Sequence, residues 1–302
     1  MTETTIDAPV PATPAVRPDV PALAAAGVTV LLWSSAFVAI RDAGTQISPG
    51  ALSLGRLVVA AIGLGVLVAV KRDPLPPRAD LPRLAVFSLL WLGAYNLLLN
   101  AAERHVDAGT AAMLVNTGPI LIAVLAGVLL REGFPRTLLA GCAIAFAGAV
   151  VIGLATSERG LDAGWGAALC LAAAAAYAGG VVAQKPLLAR TSALQVTFLG
   201  CVLAALACLP FAPDLVHDAR GASASGVAWT VYLGAAPTAL GFTTWAYALS
   251  RTTAGRMGAT TYLVPPVAVL MGWALLSETP PALALAGGAL CLAGVFVARA
   301  RR

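Results

Sequence analysis

Two stretches of the chain repeat one pattern: residues 116–136 read NTGPILIAVLAGVLLREGFPR, and residues 262–282 read YLVPPVAVLMGWALLSETPPA. Each places a Pro inside an apolar run, a Glu 13 residues later and another Pro three residues beyond the Glu. With a constant offset of 146, residues 108–151 align with residues 254–297 without a gap. The pairs hardest to attribute to Ala-rich composition are Gly109/Gly255, Pro119/Pro265, Glu132/Glu278, Pro135/Pro281, Gly141/Gly287 and Gly148/Gly294. The sequence therefore predicts an internal repeat.

The composition indicates a protein that lies in a membrane. Of the 302 residues, 59% are hydrophobic and 11% are charged, and the mean hydropathy is +0.87. A soluble domain has about 25% charged residues with which to cover its surface. The outer surface is therefore expected to face a lipid bilayer. Nucleic acid is not expected as a partner, because the net charge of +5 comes from short basic clusters between apolar runs.

Ten apolar runs have the length of a helix that crosses a bilayer, about 20 residues. Ala and Leu dominate them, and no alternation over about ten residues indicates membrane strands. The sequence predicts an all-α integral membrane protein with ten transmembrane helices. These lie near residues 22–40, 50–70, 84–103, 108–130, 135–155, 163–184, 193–212, 226–249, 254–276 and 281–298.

Basic residues predict the orientation, because cytoplasmic loops carry an excess of Lys and Arg. With the N-terminus inside, 14 of the 19 basic residues fall in cytoplasmic segments, and Arg56 lies within a span. The outer loops hold Arg41, Arg104, Arg159 and Arg220. Both termini are thus expected in the cytoplasm of a multi-pass protein of the plasma (inner) membrane. Residues 1–21 form a Pro-rich tail expected to be disordered, and residues 299–302 form a basic C-terminus.

The repeat is predicted to be inverted. Five spans separate its two copies, so the second copy runs through the membrane in the opposite direction. Residues 22–156 form the first five-helix repeat and residues 162–298 form the second. Inverted repeats are typical of secondary transporters, in which two halves rock about a site near the bilayer midplane.

The expected site lies where Pro119 and Pro265 interrupt spans 4 and 9, with Pro266 disturbing span 9 further. A Pro has no N–H for the carbonyl four residues earlier, which belongs here to Val115 and to Thr261. Either a wet cavity or a simple helix bend explains such a kink.

Polar and aromatic side chains gather at the depth of these kinks, and each could line a cavity or tie two helices together. The candidate substrate-binding residues are Trp33, Ser34, Tyr95, Asn96, Asn116, Tyr177, Thr238 and Tyr262. Asn96→Leu and Tyr262→Ala are therefore expected to impair flux and to leave the protein folded.

Three charged residues near or inside the spans are predicted to be structural. Arg56 is expected to pair with an acid at an outer helix end, or with backbone carbonyls, ahead of a substrate carboxylate or phosphate. Glu132 and Glu278 end one helix before a Pro that opens the next, so helix capping is favoured over proton coupling. The glycines at positions 141, 148, 287 and 294 are expected to permit close helix packing in spans 5 and 10. Alternatively, these two spans form the contact face of a homodimer.

Catalysis has little support in the sequence. The two histidines, His105 and His217, fall in expected outer loops, and no metal-ligand or nucleophile motif is present. The five cysteines lie within spans without metal spacing and are expected to fill space without forming disulfides. Neither a metal nor a cofactor is therefore expected. A membrane enzyme or a scaffold stays as the less favoured alternative.

The ten spans, the WSSAF at residues 33–37, the Arg early in span 2 and the repeated P…E…P…G…G pattern resemble the drug/metabolite transporter superfamily, and specifically its EamA-type ten-helix members. The resemblance implies transport of small metabolites and leaves the cargo open. The small multidrug pumps of that superfamily carry a central Glu in their first span, whereas VLLWSSAFVA at residues 30–39 has none. We therefore expect an exporter of amino acids or related neutral or zwitterionic solutes, with a cationic multidrug carrier as the alternative.

Overall fold

The computed structural model describes residues 19–106, 108–156, 164–276 and 281–300, and these ranges contain helices, turns and connecting segments but no strand. The expected all-α class is thus confirmed for this part of the chain. The α-helices are α1 (Val20–Ala43), α2 (Pro49–Lys71), α3 (Leu81–Phe87), α4 (Asn96–Ala102), α5 (Ala108–Val115), α6 (Gly118–Leu129), α7 (Arg136–Thr156), α8 (Gly164–Leu187), α9 (Ala193–Ala207), α10 (Ala212–Gly221), α11 (Ala224–Leu233), α12 (Gly241–Ser250), α13 (Ala254–Thr260), α14 (Val264–Leu276) and α15 (Ala282–Arg299).

Six helical stretches in the described ranges are long and apolar enough to cross a membrane, and a bent pair brings the number to seven. The bent pair is Ala193–Ala207 with Leu209–Gly221, which meet at 59°. Helix is present in each of the ten expected runs, but spans 4 and 9 are divided into shorter helices at their prolines. Length and apolarity therefore support a multi-pass membrane protein, and the count of ten stays a prediction.

Large apolar side chains cover the outside of the bundle. Phe296 is 78% exposed and Val70 is 76% exposed, and other exposed Leu, Ile and Val side chains follow the same helices. In water such a surface would cause aggregation, whereas in a bilayer it contacts acyl chains. This arrangement agrees with the membrane setting that the composition indicates.

Polar caps define several helix starts, because the first N–H groups of a helix have no partner within it. The Asp19 carboxylate accepts from the Ala22 N–H at the start of α1, and it also pairs with Arg251 at 2.9 Å. These two contacts lower the pKa of Asp19, the Ala22 N–H having the larger effect. The hydroxyls of Ser192, Ser223 and Thr253 cap α9, α11 and α13 in the same way.

Two π-helical segments stand at matching places in the chain. Ser88–Tyr95 joins α3 to α4, and Gly234–Leu240 joins α11 to α12. Their first residues differ by the offset of 146 that relates the two sequence copies. Each segment widens the helix by one residue per turn, a geometry often found at functional sites.

Helices α7 and α15 cross at very short range, and their glycines make this possible. A Cβ added to Gly148 would lie 2.7 Å from the Cys291 nitrogen, and one added to Gly294 would lie 2.4 Å from the Ala145 nitrogen. The offset of 146 relates Gly148 to Gly294 and Ala145 to Cys291, so the two close contacts are equivalent under the repeat. The expectation that these glycines serve close helix packing is met inside one chain, and dimer formation stays a prediction.

Candidate functional site

A cavity of about 90 Å³ lies in the middle of the helix bundle, between residues of both sequence halves. Two lining residues lie close to helix ends. Ile40 is three residues before the last residue of α1, and Leu99 is three residues before the last residue of α4. The cavity thus extends toward the end of the bundle at which α1 ends and α2 begins. Its lining residues are Trp33, Ala36, Phe37, Ile40, Arg56, Trp91, Tyr95, Asn96, Leu99, Val115, Asn116, Pro119, Tyr177, Phe242, Thr261 and Val264.

Aromatic rings from four helical segments close the other side of the cavity. We call Trp33, Trp91, Tyr177, Phe242 and Trp245 the aromatic layer. Trp33 stacks on Trp245 with the ring centroids 5.1 Å apart, and Trp91 meets Phe242 edge to face at 4.9 Å. Offset-stacked and edge-to-face pairs are the favourable geometries of aromatic rings. The layer therefore forms a packed, apolar floor.

The helical segments that contain the prolines are interrupted beside this cavity. Pro119 stands in the first turn of α6 and Pro265 in the first turn of α14, where a missing N–H costs nothing. Val115 and Thr261, whose carbonyls cannot receive a bond from these prolines, both line the cavity. Pro266 lies against the α15 face at Gly288. The interpretation of a cavity beside the prolines agrees with this arrangement.

Five of the expected binding residues come together in the lining: Trp33, Tyr95, Asn96, Asn116 and Tyr177. The Trp33 indole N–H donates to the Pro237 carbonyl at 3.2 Å, and the Tyr177 hydroxyl donates to Thr261 Oγ1 at 3.4 Å.

The amide nitrogen of Asn96 donates to the Leu92 carbonyl at 2.8 Å. The side-chain nitrogen of Asn96 is thus engaged within its own helical segment, and Oδ1 is the acceptor atom of this side chain.

Three other expected residues lie outside the lining. Ser34 donates to the carbonyls of Val30 and Val264, which ties α1 to α14. Thr238 binds Arg56. Tyr262 is fully buried among α7 and α15 side chains, and its hydroxyl has no hydrogen-bond partner in the described structure. Depth along a helix put these residues at the level of the cavity, but the rotation of each helix turns them away from it.

Arg56 lines the cavity and is 5% exposed. Its Nε donates to Thr238 Oγ1 at 2.9 Å, and pairing with an acid at a helix end stays a prediction. The acids at outer helix ends near its depth are Asp42, Glu103 and Asp107, and Asp107 lies outside the described residues.

Glu132 caps a helix, but that helix belongs to the other half of the chain. Its two carboxylate oxygens accept from the N–H groups of Ala254, at 2.8 Å, and Gly255, at 3.2 Å. The cap therefore stands at the start of α13, whereas the sequence favoured the helix that follows Pro135. Glu278 lies outside the described residues.

Sequence reasoning missed two rings of the aromatic layer that line the cavity, Trp91 and Phe242. Trp91 stands one helical turn before Tyr95, so the spacing of four residues was a signal that both share a face. Phe242 carried no such signal, because its place depends on the π-helical segment that precedes it. In the described part of the chain, no group of three or more His, Cys, Asp or Glu residues is placed to hold a metal.

An apolar outer surface around a chamber lined by many helices is typical of a multi-pass membrane protein. The chain belongs to the EamA-like transporter family, whose model matches it twice, over residues 21–154 and 164–300. The resemblance that the sequence motifs indicate is thereby confirmed, and the protein is a membrane transporter by family.

Two relatives carry names that state a cargo. The "Probable terminal-alkyne amino-acid exporter" of Streptantibioticus cattleyicolor is 39% identical over 275 residues, which are 91% of this chain and 92% of that protein. The "Probable amino-acid metabolite efflux pump" of Salmonella typhimurium is 26% identical over 280 residues, which are 89% of this chain and 92% of that protein.

A solved crystal structure has the same fold. It superposes with a TM-score of 0.75 at 20% sequence identity, and the match covers 92% of this chain and 96% of the solved chain. At this level of identity the likeness speaks for the fold alone.

Proposed function

We propose that the protein is a secondary transporter that exports small amino-acid-like solutes across the plasma (inner) membrane by alternating access around the central cavity. The observation that carries this proposal is a small cavity, lined by both sequence halves, in a chain of the EamA-like transporter family. Both termini lie in the cytoplasm in this proposal.

Two inverted five-helix repeats, residues 22–156 and 162–298, give the architecture of the proposal. Support comes from the family model, which matches the chain twice over nearly these ranges. Further support comes from the two π-helical segments, which begin 146 residues apart, and from the equivalent close contacts of Gly148 and Gly294 between α7 and α15. Symmetry of this kind gives inward-facing and outward-facing forms of similar energy.

The charge of the cavity favours a solute with a negative group over a cation. Arg56 is the only charged residue among the described lining residues, and no carboxylate there would attract a cation. The names of the two relatives point to amino acids and their metabolites as the first solutes to test.

The end of the bundle opposite the cavity is tied together by polar contacts. Lys185 donates its ammonium to the carbonyls of Leu249 and Thr252, both at 2.7 Å, and Glu132 holds the start of α13. In the proposed orientation this end is cytoplasmic. The aromatic layer and these ties then close the cytoplasmic route, while the cavity extends toward the outside.

Efflux of a labelled solute from vesicles tests the proposal. Purified protein is reconstituted with radiolabelled L-propargylglycine, L-alanine or L-methionine inside, and efflux is followed with and without a pH gradient. Efflux above that of protein-free vesicles is expected for at least one amino acid. Flux of organic cations alone would favour the multidrug alternative, and chemical conversion without flux would favour an enzyme.

Two asparagines one turn apart provide a matched pair of variants. Asn96 lines the cavity, whereas Asn100 donates to Ser53 Oγ at 3.0 Å and ties α4 to α2. Asn96→Leu is expected to lower amino-acid flux about tenfold or more with little change in melting temperature, because it removes a polar contact to the solute. Asn100→Leu is expected to lower the melting temperature instead. Wild-type flux in folded Asn96→Leu would place the solute elsewhere.

Paired cysteine substitutions test the inverted orientation. Arg136 and Ala282 are equivalent under the offset of 146, both are exposed, and the five native cysteines are buried. A membrane-impermeant maleimide added to intact cells is expected to label Ala282→Cys and to spare Arg136→Cys until the membrane is opened. Labelling of both variants from the same side would contradict the inverted repeat.

A further inference from the structure

Arg56 is held in a fixed orientation at the wall of the cavity. It follows seven residues after Pro49 in α2, and every residue from 50 to 57 of that helix is buried. The Thr238 hydroxyl donates its proton to the Leu233 carbonyl at 2.7 Å, across one turn of the π-helical segment. The oxygen of Thr238 is thus left as an acceptor for Arg56 Nε.

Among the described lining residues, none forms a direct ion pair with Arg56. No Asp or Glu is among the described lining residues, and the Thr238 hydroxyl is neutral. Glu103, near the end of α4, acts on Arg56 electrostatically but is not part of the lining. A guanidinium whose Nε is occupied still presents its two terminal nitrogens as a fork, the geometry that matches a carboxylate.

Groups suited to the other parts of an amino acid lie around the same cavity. Val115 and Thr261, at the two helix breaks, line it, and backbone carbonyls are acceptors of the kind that bind an ammonium. The Thr261 carbonyl also accepts from the Val264 N–H. The aromatic layer offers an apolar surface to a side chain. Arg56, the helix breaks and the aromatic layer thus provide a cationic, an acceptor and an apolar region within one small chamber.

We propose that Arg56 is the subsite that binds the carboxylate of the transported solute, with Thr238 as its positioning residue. This inference rests on the proposed transport function and narrows the solute to carboxylates with a small apolar side chain. It replaces the purely structural role that the sequence favours for Arg56. A structural cation would affect every solute equally, whereas a carboxylate subsite affects only solutes that carry the carboxylate.

The test compares an amino acid with its primary amide, which has nearly the same shape without the negative charge. L-propargylglycine and L-propargylglycinamide are titrated into the purified wild-type protein, and binding is read from the fluorescence of the tryptophans around the cavity. Each compound is also used to inhibit efflux of labelled L-propargylglycine from vesicles. Because a hydrogen bond to a charged group contributes about 1.5–3 kcal/mol, the acid is expected to bind at least about tenfold more tightly than the amide.

Three variants separate a subsite from a structural charge. In Arg56→Gln the acid and the amide are expected to bind within about twofold of each other, since the charge that distinguishes them is gone. Arg56→Lys keeps the charge but loses the fork, so it should keep part of the preference. Thr238→Val removes the bond to Arg56 together with the bond to the Leu233 carbonyl. It is expected to weaken binding of the acid while binding of the amide stays unchanged.

The outcomes for this inference and for the proposed function are distinct. Equal affinity of the wild-type protein for the acid and the amide would overturn the carboxylate subsite, and this comparison needs no variant. Equal weakening of both compounds in Arg56→Gln would return Arg56 to a structural role. In either case, efflux of labelled L-propargylglycine would leave the transport proposal standing, whereas failure to transport any amino acid would reject that proposal.

Discussion

Gly294→Ala is expected to lower the free energy of unfolding by about 3 kcal/mol or more, although alanine is the better helix former by about 1 kcal/mol. The added Cβ would lie 2.4 Å from the Ala145 nitrogen and 2.6 Å from the Gly141 oxygen. Both are backbone atoms, so no side-chain rotation relieves the contact. Helices α7 and α15 have to move apart, and their packing is lost along the whole crossing.

The loss of stability depends on where the glycine lies, because a glycine at the crossing of α7 and α15 has backbone atoms of the other helix next to its added Cβ. Gly148→Ala is expected to be equally harmful, because its Cβ would meet the Gly287 oxygen at 2.6 Å. Gly63→Ala is the matched control, since nothing lies within 4 Å of its added Cβ. Thermal unfolding in detergent measures the difference, with a fall of roughly 5–10 °C expected for the two crossing variants. A Gly294→Ala protein as stable as the Gly63→Ala control would show that the helices do not approach so closely.

Tyr262→Ala is expected to cost about 3–5 kcal/mol of stability, the usual loss when a large buried ring is truncated. The side chain is fully buried against Leu138, Cys142 and Cys291, a cluster that joins α7 and α15 to the start of α14. The sequence-based expectation of impaired flux in an intact protein is therefore replaced by loss of the fold. The packing around the ring, rather than contact with a solute, is the reason.

Tyr262→Phe separates the ring from its hydroxyl. The hydroxyl is buried without a hydrogen-bond partner in the described structure, so its removal is expected to leave stability unchanged or to raise it slightly. Melting temperatures of the two variants and the wild type provide the measurement, and flux in the Phe variant should match the wild type. Loss of transport in a stable Tyr262→Phe protein would show that this hydroxyl contacts the solute after all.

Much of the site was predictable because the membrane imposes a simple rule on polar side chains. An amide or an aromatic hydroxyl at mid-depth of a span turns inward, and Asn96, Asn116, Tyr95 and Tyr177 do line the cavity. The same rule does not say which inward surface such a side chain meets. Thr238 and Tyr262 are also turned inward, yet one positions Arg56 and the other fills a helix crossing.

The sequence by itself determined the membrane class, the helical class and the family, because composition and the spacing of Pro, Glu and Gly are local properties of the chain. It also marked Val115 and Thr261, since a proline withholds its bond from a known carbonyl. Only the tertiary structure decided that Glu132 caps α13 and that Arg56 meets Thr238 at the wall of a chamber. The physical reason is that helix rotation and crossing distance, set by packing between distant segments and by π-helical turns, fix which inward-facing atoms meet.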